Sequence, residues 1–418
     1  MKSLWIKRGA KWLPPSEMPR LIFINRFYWP EEPATSQLLT DLAEGLVEPG
    51  TDVSIITSHS GNVSTPREET HQGVLIHRIG STRLGKNSLI GRVFDFISFT
   101  LGTAIKLLTF PQRDDTVIFL TDPPLLGALL WPLLKLRRIS YIHWVQDIYP
   151  EIACELTPHQ WLKLFRPIRD LSWRQADYCI TLGQDMANIL SGHGVVQDKI
   201  RIIPNWPPRG LGSQVGESQI EQLKQKWGLS GKFVLLYSGN LGRVHDLSPL
   251  IEVADQLRAT SDIALVFIGH GAQVTDLCAK AKSRGLQNIF FFPPQPRAQL
   301  NLTLSLGDIH FVSMREGCEG FVYPSKLYGI TAVSRPVIFI GPPNSSLFHT
   351  IQDENLGFSF APKDTREIAL TLLRFKASPR LQDYHREAAT RFAVEHDFNH
   401  AMRSWSKILL PESGLAAE

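Results

Sequence analysis

The sequence predicts an α/β protein of two doubly wound, mostly parallel sheets facing each other across a cleft. Three observations predict it. Short β-branched runs alternate with helix-length apolar patterns along most of the chain. One Pro- and Gly-rich stretch without periodicity interrupts that alternation near the middle. The alternation then starts again. Repeated strand-helix-strand units make parallel sheets covered on both faces, and such open sheets bind ligands beyond the carboxyl ends of their strands.

In the first half the β-branched runs predict strands over 21–24, 53–56, 117–120, 140–145, 178–181 and 200–203, with a helix over 36–46. After the interruption they predict strands over 232–237, 264–268, 289–292, 309–313 and 337–340. Helices are predicted over 247–257, 273–284 and 325–333. The last stretch, 380–410, has a helical pattern that ends on Trp405, Ile408 and Leu409. The expected organisation is a tail over 1–17, a first domain over 18–206, a linker over 207–217 and a second domain over 218–379. A helical segment over 380–418 closes the second domain or crosses back to the first.

Composition narrows the function classes. With 418 residues, 43% hydrophobic and 20% charged, the chain can bury large cores and is neither disordered nor fibrous. Its 44 basic and 40 acidic side chains form no concentrated block, which argues against nucleic acid as a partner. The four cysteines, Cys154, Cys179, Cys278 and Cys318, are too scattered for a zinc or disulfide framework, so no metal site is expected and a reducing compartment is. No run reaches the roughly 18 to 20 apolar residues of a membrane span. The apolar segment over 97–110 reads first as a core helix. Its second reading is a surface helix dipping into lipid headgroups, with Arg92, Lys106 and Arg113 nearby.

Four stretches carry chemistry. The first, Tyr237-Ser-Gly-Asn-Leu-Gly-Arg-Val-His-Asp246, runs from a strand into a loop whose Gly239 and Gly242 let the backbone approach an anion such as a diphosphate; a plain tight turn is the alternative. It lacks the three-glycine dinucleotide fingerprint. In the second, from Glu316 to Ile338, Ser325 is placed to cap a helix and Lys326 to supply a positive charge to the same anion, unless the cap is merely structural. The third, His143-Trp-Val-Gln-Asp-Ile-Tyr-Pro-Glu151, puts Asp147 and Glu151 where carboxylates can bind sugar hydroxyls or orient a nucleophilic hydroxyl; Asp147 as a helix cap is the alternative. The fourth, Asn25 to Ser36, offers aromatics for stacking on a sugar or for plain surface packing.

Together these stretches resemble the retaining nucleotide-sugar glycosyltransferases of glycosyltransferase family four, which have two Rossmann-like domains in the GT-B arrangement. The branch is the one that builds bacterial exopolysaccharide, colanic-acid and O-antigen chains. The motifs carrying the resemblance are Trp144 to Glu151, Ile203-Pro-Asn-Trp206, Tyr237 to Gly242 and Val322-Tyr-Pro-Ser-Lys-Leu-Tyr328. It covers about 20–409.

The resemblance implies a nucleoside-diphosphate-sugar donor on the second domain and a glycan or lipid-linked acceptor on the first. No further cofactor is implied. It places Gly239, Asn240, Gly242 and Arg243 on the diphosphate, with Ser325, Lys326 and Leu327 opposite. The turns at Gly269 to Gly271 and at Phe292 to Gln295 would flank the nucleobase. Asp147 would orient substrates in a reaction that retains anomeric configuration.

Two departures stand out. The paired glutamates of relatives fall here on Phe321 and Gly329, so Glu319 or Glu316 is expected to bind a sugar hydroxyl from a shifted place. The second phosphate-binding cation of relatives is replaced by Ser248, leaving Arg243 and Lys326. A non-hydrolysing nucleotide-sugar epimerase and a catalytically degenerate binding scaffold are the rival readings. The expected location is the cytoplasm, with peripheral contact on the inner face of the membrane.

Overall fold

A computed structural model describes residues 6–8, 11–13, 20–31, 33–47, 51–59, 65–82, 84, 89–212 and 215–410. Within the expected tail, β1 (Ile6–Arg8) pairs antiparallel with β2 (Lys11–Leu13), and the other tail residues lie outside those described. The chain divides into two compact units, 1–204 with 399–418, and 205–398.

The first unit runs β3 (Arg20–Ile24), α1 (Ala34–Leu46), β4 (Asp52–Ser58), β5 (Glu68–His71), β6 (Val74–Ile79), α2 (Leu89–Thr109), β7 (Thr116–Phe119) and α3 (Leu126–Arg137). It continues through β8 (Ser140–Trp144), α4 (Glu151–Leu156), α5 (Arg166–Gln175), β9 (Tyr178–Thr181), α6 (Gln184–Gly192) and β10 (Ile200–Ile202). Strand order is β10-β9-β8-β7-β3-β4-β6-β5, parallel except for β5 against β6. Central strands such as β3 are buried along their length because helices cover both faces, which is why they read as unbroken apolar runs. The β5–β6 hairpin, absent from the sequence-based expectation, turns at Gln72 (φ 49°) and Gly73 (φ 83°). Its sequence signal was a single glycine, Gly73, between two extended stretches.

The second unit runs α7 (Glu217–Lys226), β11 (Phe233–Ser238), α8 (Ser248–Gln256), β12 (Ile263–Ile268), α9 (Val274–Ser283), β13 (Ile289–Phe292) and α10 (Leu300–Ser305). Then follow β14 (Ile309–Ser313), α11 (Lys326–Ala332), β15 (Val337–Ile340), α12 (Ser346–Asp353), β16 (Gly357–Phe360), α13 (Thr365–Lys376) and α14 (Pro379–Glu395). The order β13-β12-β11-β14-β15-β16 is parallel throughout. Helix α15 (Phe398–Leu409) carries the chain back into the first unit, where Trp405 is fully buried edge-on to Trp144, ring centroids 4.7 Å apart.

The closing segment is therefore two helices with different allegiances. α14 stays on the second unit, packed on α11 and α13, and the crossing comes only after it. The units also divide before Asn205, ahead of the expected linker over 207–217; part of that stretch, 213–214, lies outside the described residues.

Both sheets reverse their direction of growth in the middle. In the second unit the chain moves outward from β11 to β13, then returns to β14 on the other side of β11. Loops after β11 and β14 therefore part at the carboxyl ends of adjacent strands, leaving a crevice. In the first unit the same switch lies between β3 and β7, with β8 next to β7.

Candidate active site

The second-unit crevice is built by close backbone approach. After β11 the chain keeps pairing with the loop after β12, through Gly239 N to Ile268 O (2.9 Å) and Leu241 N to His270 O (2.8 Å). This geometry demands glycine on both sides. A Cβ on Gly269 (φ 147°) would lie 2.0 Å from the Gly239 carbonyl oxygen, and one on Gly239 (φ 127°) would lie 2.8 Å from Lys326 Cε. Gly271 sits against the Leu241 backbone in the same junction. A cavity of about 420 Å³ opens there, lined by Leu241, Gly269, His270, Gly271, Phe292 and Pro293 among others. The two turns assigned from sequence to the nucleobase thus meet around one apolar hollow of small-ligand size, which the glycine loop reaches only through Leu241.

Lys326, at the start of α11, reaches back across this loop. Its Nζ lies 3.0 Å from His245 Nε2 and 5.2 Å from the centre of the Tyr237 ring. His245 Nδ1 is 2.6 Å from the Ser313 carbonyl oxygen. A carbonyl only accepts, so Nδ1 carries the proton and Nε2 offers its lone pair to the Lys326 ammonium. Burial first, then the Lys326 charge, pushes the His245 imidazole down to about 3, keeping it neutral. Burial likewise lowers the Lys326 ammonium to about 8. Among the described residues no carboxylate lies within ion-pair distance of Lys326. The crevice therefore holds a cation whose partners are a neutral imidazole and an aromatic face.

The loop is fastened from behind. Gln273 Nε2 donates to the carbonyl oxygens of Gly242 (2.6 Å) and His245 (2.8 Å). Arg315 Nε donates to Arg243 O (2.9 Å), and Gly239, Asn240 and Arg243 remain exposed. Sequence reasoning assigned no role to His245 or Gln273, and nothing in their spacing signals one.

Several expectations for this side need correction. Ser325 occupies the N-cap position of α11, but its side chain makes no capping hydrogen bond because its own backbone is already helical (φ −64°, ψ −12°). Leu327 is fully buried, and its amide faces the Pro324 carbonyl oxygen at 3.5 Å, so it is a core residue. Glu319 is half-buried and folds back on its own turn, accepting from Gly317 N at 2.7 Å, while Glu316 is exposed. A local turn thus occupies the carboxylate that was expected to meet a sugar.

On the first unit, Asp147 follows β8 and lines a cavity of about 30 Å³ with His143, Tyr149, Arg169 and Trp173, room for about one water. It is not a helix cap, since Pro150 takes that position for α4. Burial, with the charge of Asp122 adding, pushes its carboxyl up to about 7. Asp122 is raised to about 6 by burial, against the lowering influence of Arg26. The structure thus couples two carboxyls from the loops after neighbouring strands. Asp122 was missed, though an acid inside an apolar run before two prolines was a visible signal.

Glu151 does not take the predicted place beside Asp147. It is 3% exposed and held by Arg169 and by Arg166 Nε at 2.8 Å, which makes it a structural ion. The loop from Asn25 to Ser36 also packs inward, as far as it is described. Tyr28 is buried, Trp29 stacks on His71 with centroids 3.7 Å apart, and Ser36 donates to Glu31 O at 2.8 Å. Packing accounts for Tyr28, while Phe27 and Trp29 stay half-buried.

Comparison with known proteins agrees with this organisation. Residues 35–206 match the family model described as "Glycosyl transferase 4-like domain", and 219–392 match "Glycosyl transferases group 1". WbjE of Pseudomonas aeruginosa, described as a probable glycosyltransferase, is 26% identical over 69% of this chain and 72% of its own. WcaI of Escherichia coli strain K12, described as a candidate colanic acid biosynthesis glycosyl transferase, is 35% identical over 38% of this chain and 39% of its own. Among solved structures, Alr3699/HepE of Anabaena in complex with UDP superposes with a TM-score of 0.72 at 13% identity, over 93% of this chain and 99% of that one. HepE has also been solved with UDP-glucose.

Proposed function

Since the chain belongs to the glycosyltransferases, we propose that, as a GT-B enzyme of the exopolysaccharide type, it moves a sugar from a nucleoside-diphosphate donor held by the second unit to an acceptor hydroxyl, with retention of configuration. The observation that carries this reading is Lys326. A half-buried cation that has lost much of its hydration and has no carboxylate partner among the described residues is costly to keep, and a diphosphate between the glycine loop and Lys326 supplies the missing negative charge. The UDP-bound HepE, of the same fold, supports a uridine diphosphate as the first ligand to try.

In this reading the bond from the anomeric carbon to the β-phosphate oxygen breaks as the acceptor oxygen attacks from the same face. The acceptor proton passes to the departing phosphate oxygen. Lys326 and the amides around Gly239 hold the charge that develops there. Asp147 orients the acceptor side. The charge is met without a divalent ion, so added chelator leaves turnover unchanged. The acceptor is a glycan or lipid-linked precursor, reached through peripheral contact with a membrane.

Calorimetric titration with UDP and other nucleoside diphosphates tests the donor assignment. Binding that is weakened at least tenfold by Lys326→Ala supports it; equal affinity for both proteins overturns it. Anomeric proton couplings of the product test the stereochemistry, and an inverted linkage overturns retention.

A further inference from the structure

Helix α2 is apolar on both sides. Residues 91, 95, 99, 103 and 107 face the unit's interior, with Phe99 and Leu107 fully buried. On the other side Ile90, Phe94, Ile97, Leu101, Ile105 and Leu108 are all exposed, Leu101 at 60% and Ile105 at 65%. Their spacing is helical, so they form one stripe about 27 Å long at 1.5 Å per residue. A helix apolar all round is normally buried all round. This one is covered on half its circumference.

Exposed apolar side chains also stand on the elements packed in series beside α2. α3 packs against both α2 and α5, and Arg137 Nη1 in its last turn donates to Leu107 O of α2 at 2.6 Å. Leu136 of α3 is 80% exposed. The 3-10 turn Gln160–Phe165 and α5 add Trp161, Leu164, Ile168 and Leu171, spaced three and four apart and all exposed. Thirteen of the twenty exposed large apolar side chains among the described residues lie on these four elements. Such concentration marks an interaction surface.

The charges say what covers it. Arg92, Lys135, Arg138, Lys163 and Arg174 are exposed on or beside these elements. Their acids are turned away: Asp95 is buried and bonded to Thr82 and Arg26, and Asp170 is held by Arg169 and His193. A second copy docking through the same face would bring like charges to one rim. An apolar stripe bordered by cations instead matches an anionic lipid surface, with apolar side chains below the headgroups and Lys and Arg among them. No described helix is long and apolar enough to cross a membrane. The face would lie on the bilayer.

We infer that α2, α3, the Gln160–Phe165 turn and α5 form a lipid-docking face that seats the first unit on an anionic bilayer. This deepens the peripheral-contact part of the function proposed above and is independent of the donor.

Flotation of the full chain with vesicles of phosphatidylethanolamine and phosphatidylglycerol, against vesicles of phosphatidylcholine alone, tests it. UDP titration of every sample checks the second unit separately. The wild type should float with the anionic vesicles and markedly less with the neutral ones. Leu101→Glu with Ile105→Glu should lower binding by about tenfold or more, since both apolar burial and charge attraction are lost. Lys135→Glu with Arg138→Glu should lower binding to anionic vesicles alone. Val394→Glu, an equally exposed apolar position on the second unit, should bind as the wild type does.

The inference falls if the wild type stays with the soluble fraction, if the α2 double variant floats unchanged, or if Val394→Glu loses binding equally. It also falls if the wild type is a dimer that the α2 changes dissociate, which would assign the face to a second copy. Flotation with no binding of UDP would leave the lipid face standing and overturn the donor assignment instead.

Discussion

Each unit draws a charge out of water, Glu151 fully and Lys326 in part, and the two are treated in opposite ways. Glu151 in the first unit is enclosed by two guanidinium groups from α5, so its charge is answered within the fold. Lys326 in the second unit is enclosed by an imidazole forced neutral, an aromatic ring and a glycine loop, and its charge is left over. The first arrangement secures a loop, whereas the second keeps a site ready for an anion. Burial alone does not separate them; the presence or absence of a counter-charge does. Asp147 is a third solution, a half-buried acid whose carboxyl is pushed up to about 7 by lost hydration and the nearby Asp122 charge.

The largest effect that would sharpen this contrast is on catalysis. Lys326→Ala should lower turnover about 100- to 1,000-fold, as loss of one preorganised charge at a reacting phosphate does, while thermal stability stays equal or rises. Initial rates and unfolding curves on the same preparation check both halves. A rate within threefold of wild type breaks the comparison.

Glu151→Gln should show the reverse signature. Removing one partner of a buried ion pair costs about 3 kcal/mol of stability, read as a lower denaturant midpoint, with UDP affinity unchanged. A variant as stable as the wild type would show that the arginines find other partners.

Asp147 links the comparison to pH. Its folded-state value lies above that of an unfolded chain, so the folded protein binds this proton more tightly. The stability it contributes is complete below about pH 4 and is lost as pH rises through about 7. Unfolding free energy should therefore fall between pH 5 and pH 8, on the order of 4 kcal/mol from this group and its coupled partner Asp122 together. Asp147→Asn should flatten that slope in a pH series of denaturant melts. A slope identical to wild type would show the carboxyl to be ionised throughout.

The smallest effect is a proton count. Lys326 is lowered to about 8, and an anion beside it restores its charge, so UDP binding at pH 8.5 should take up a fraction of a proton. Calorimetry in two buffers of different ionisation enthalpy measures it. Uptake of zero would mean that Lys326 is fully charged before the ligand arrives.

What could be read in advance follows from range. The alternation that produced β3, β7, β8, β11, β12 and β14 is a local property, because a strand covered on both faces must be apolar throughout. Gly239, Gly269 and Lys326 were legible for the same reason: strand ends followed by glycines, or by a helix start with a lysine, leave few alternatives. Ser325, Leu327 and Glu319 failed because a cap, an amide direction and a carboxylate's aim each depend on a rotamer or a turn set by neighbours. Glu151 failed because its partners come from α5, about fifteen residues further along.

By itself, the sequence determined that there would be two parallel α/β units, each with loops at the carboxyl ends of its strands, and that a glycine loop and a lysine would stand at two such ends in the second. Periodicity and backbone freedom act over a few residues, so no partner was needed to see them. Only the tertiary structure decided that His245 would be the neutral partner of Lys326, that Asp122 would raise Asp147, that α15 would return to pack Trp405 on Trp144, and that one side of α2 would stay bare. Those outcomes depend on which distant groups share a volume, and that is where solvation and charge are settled.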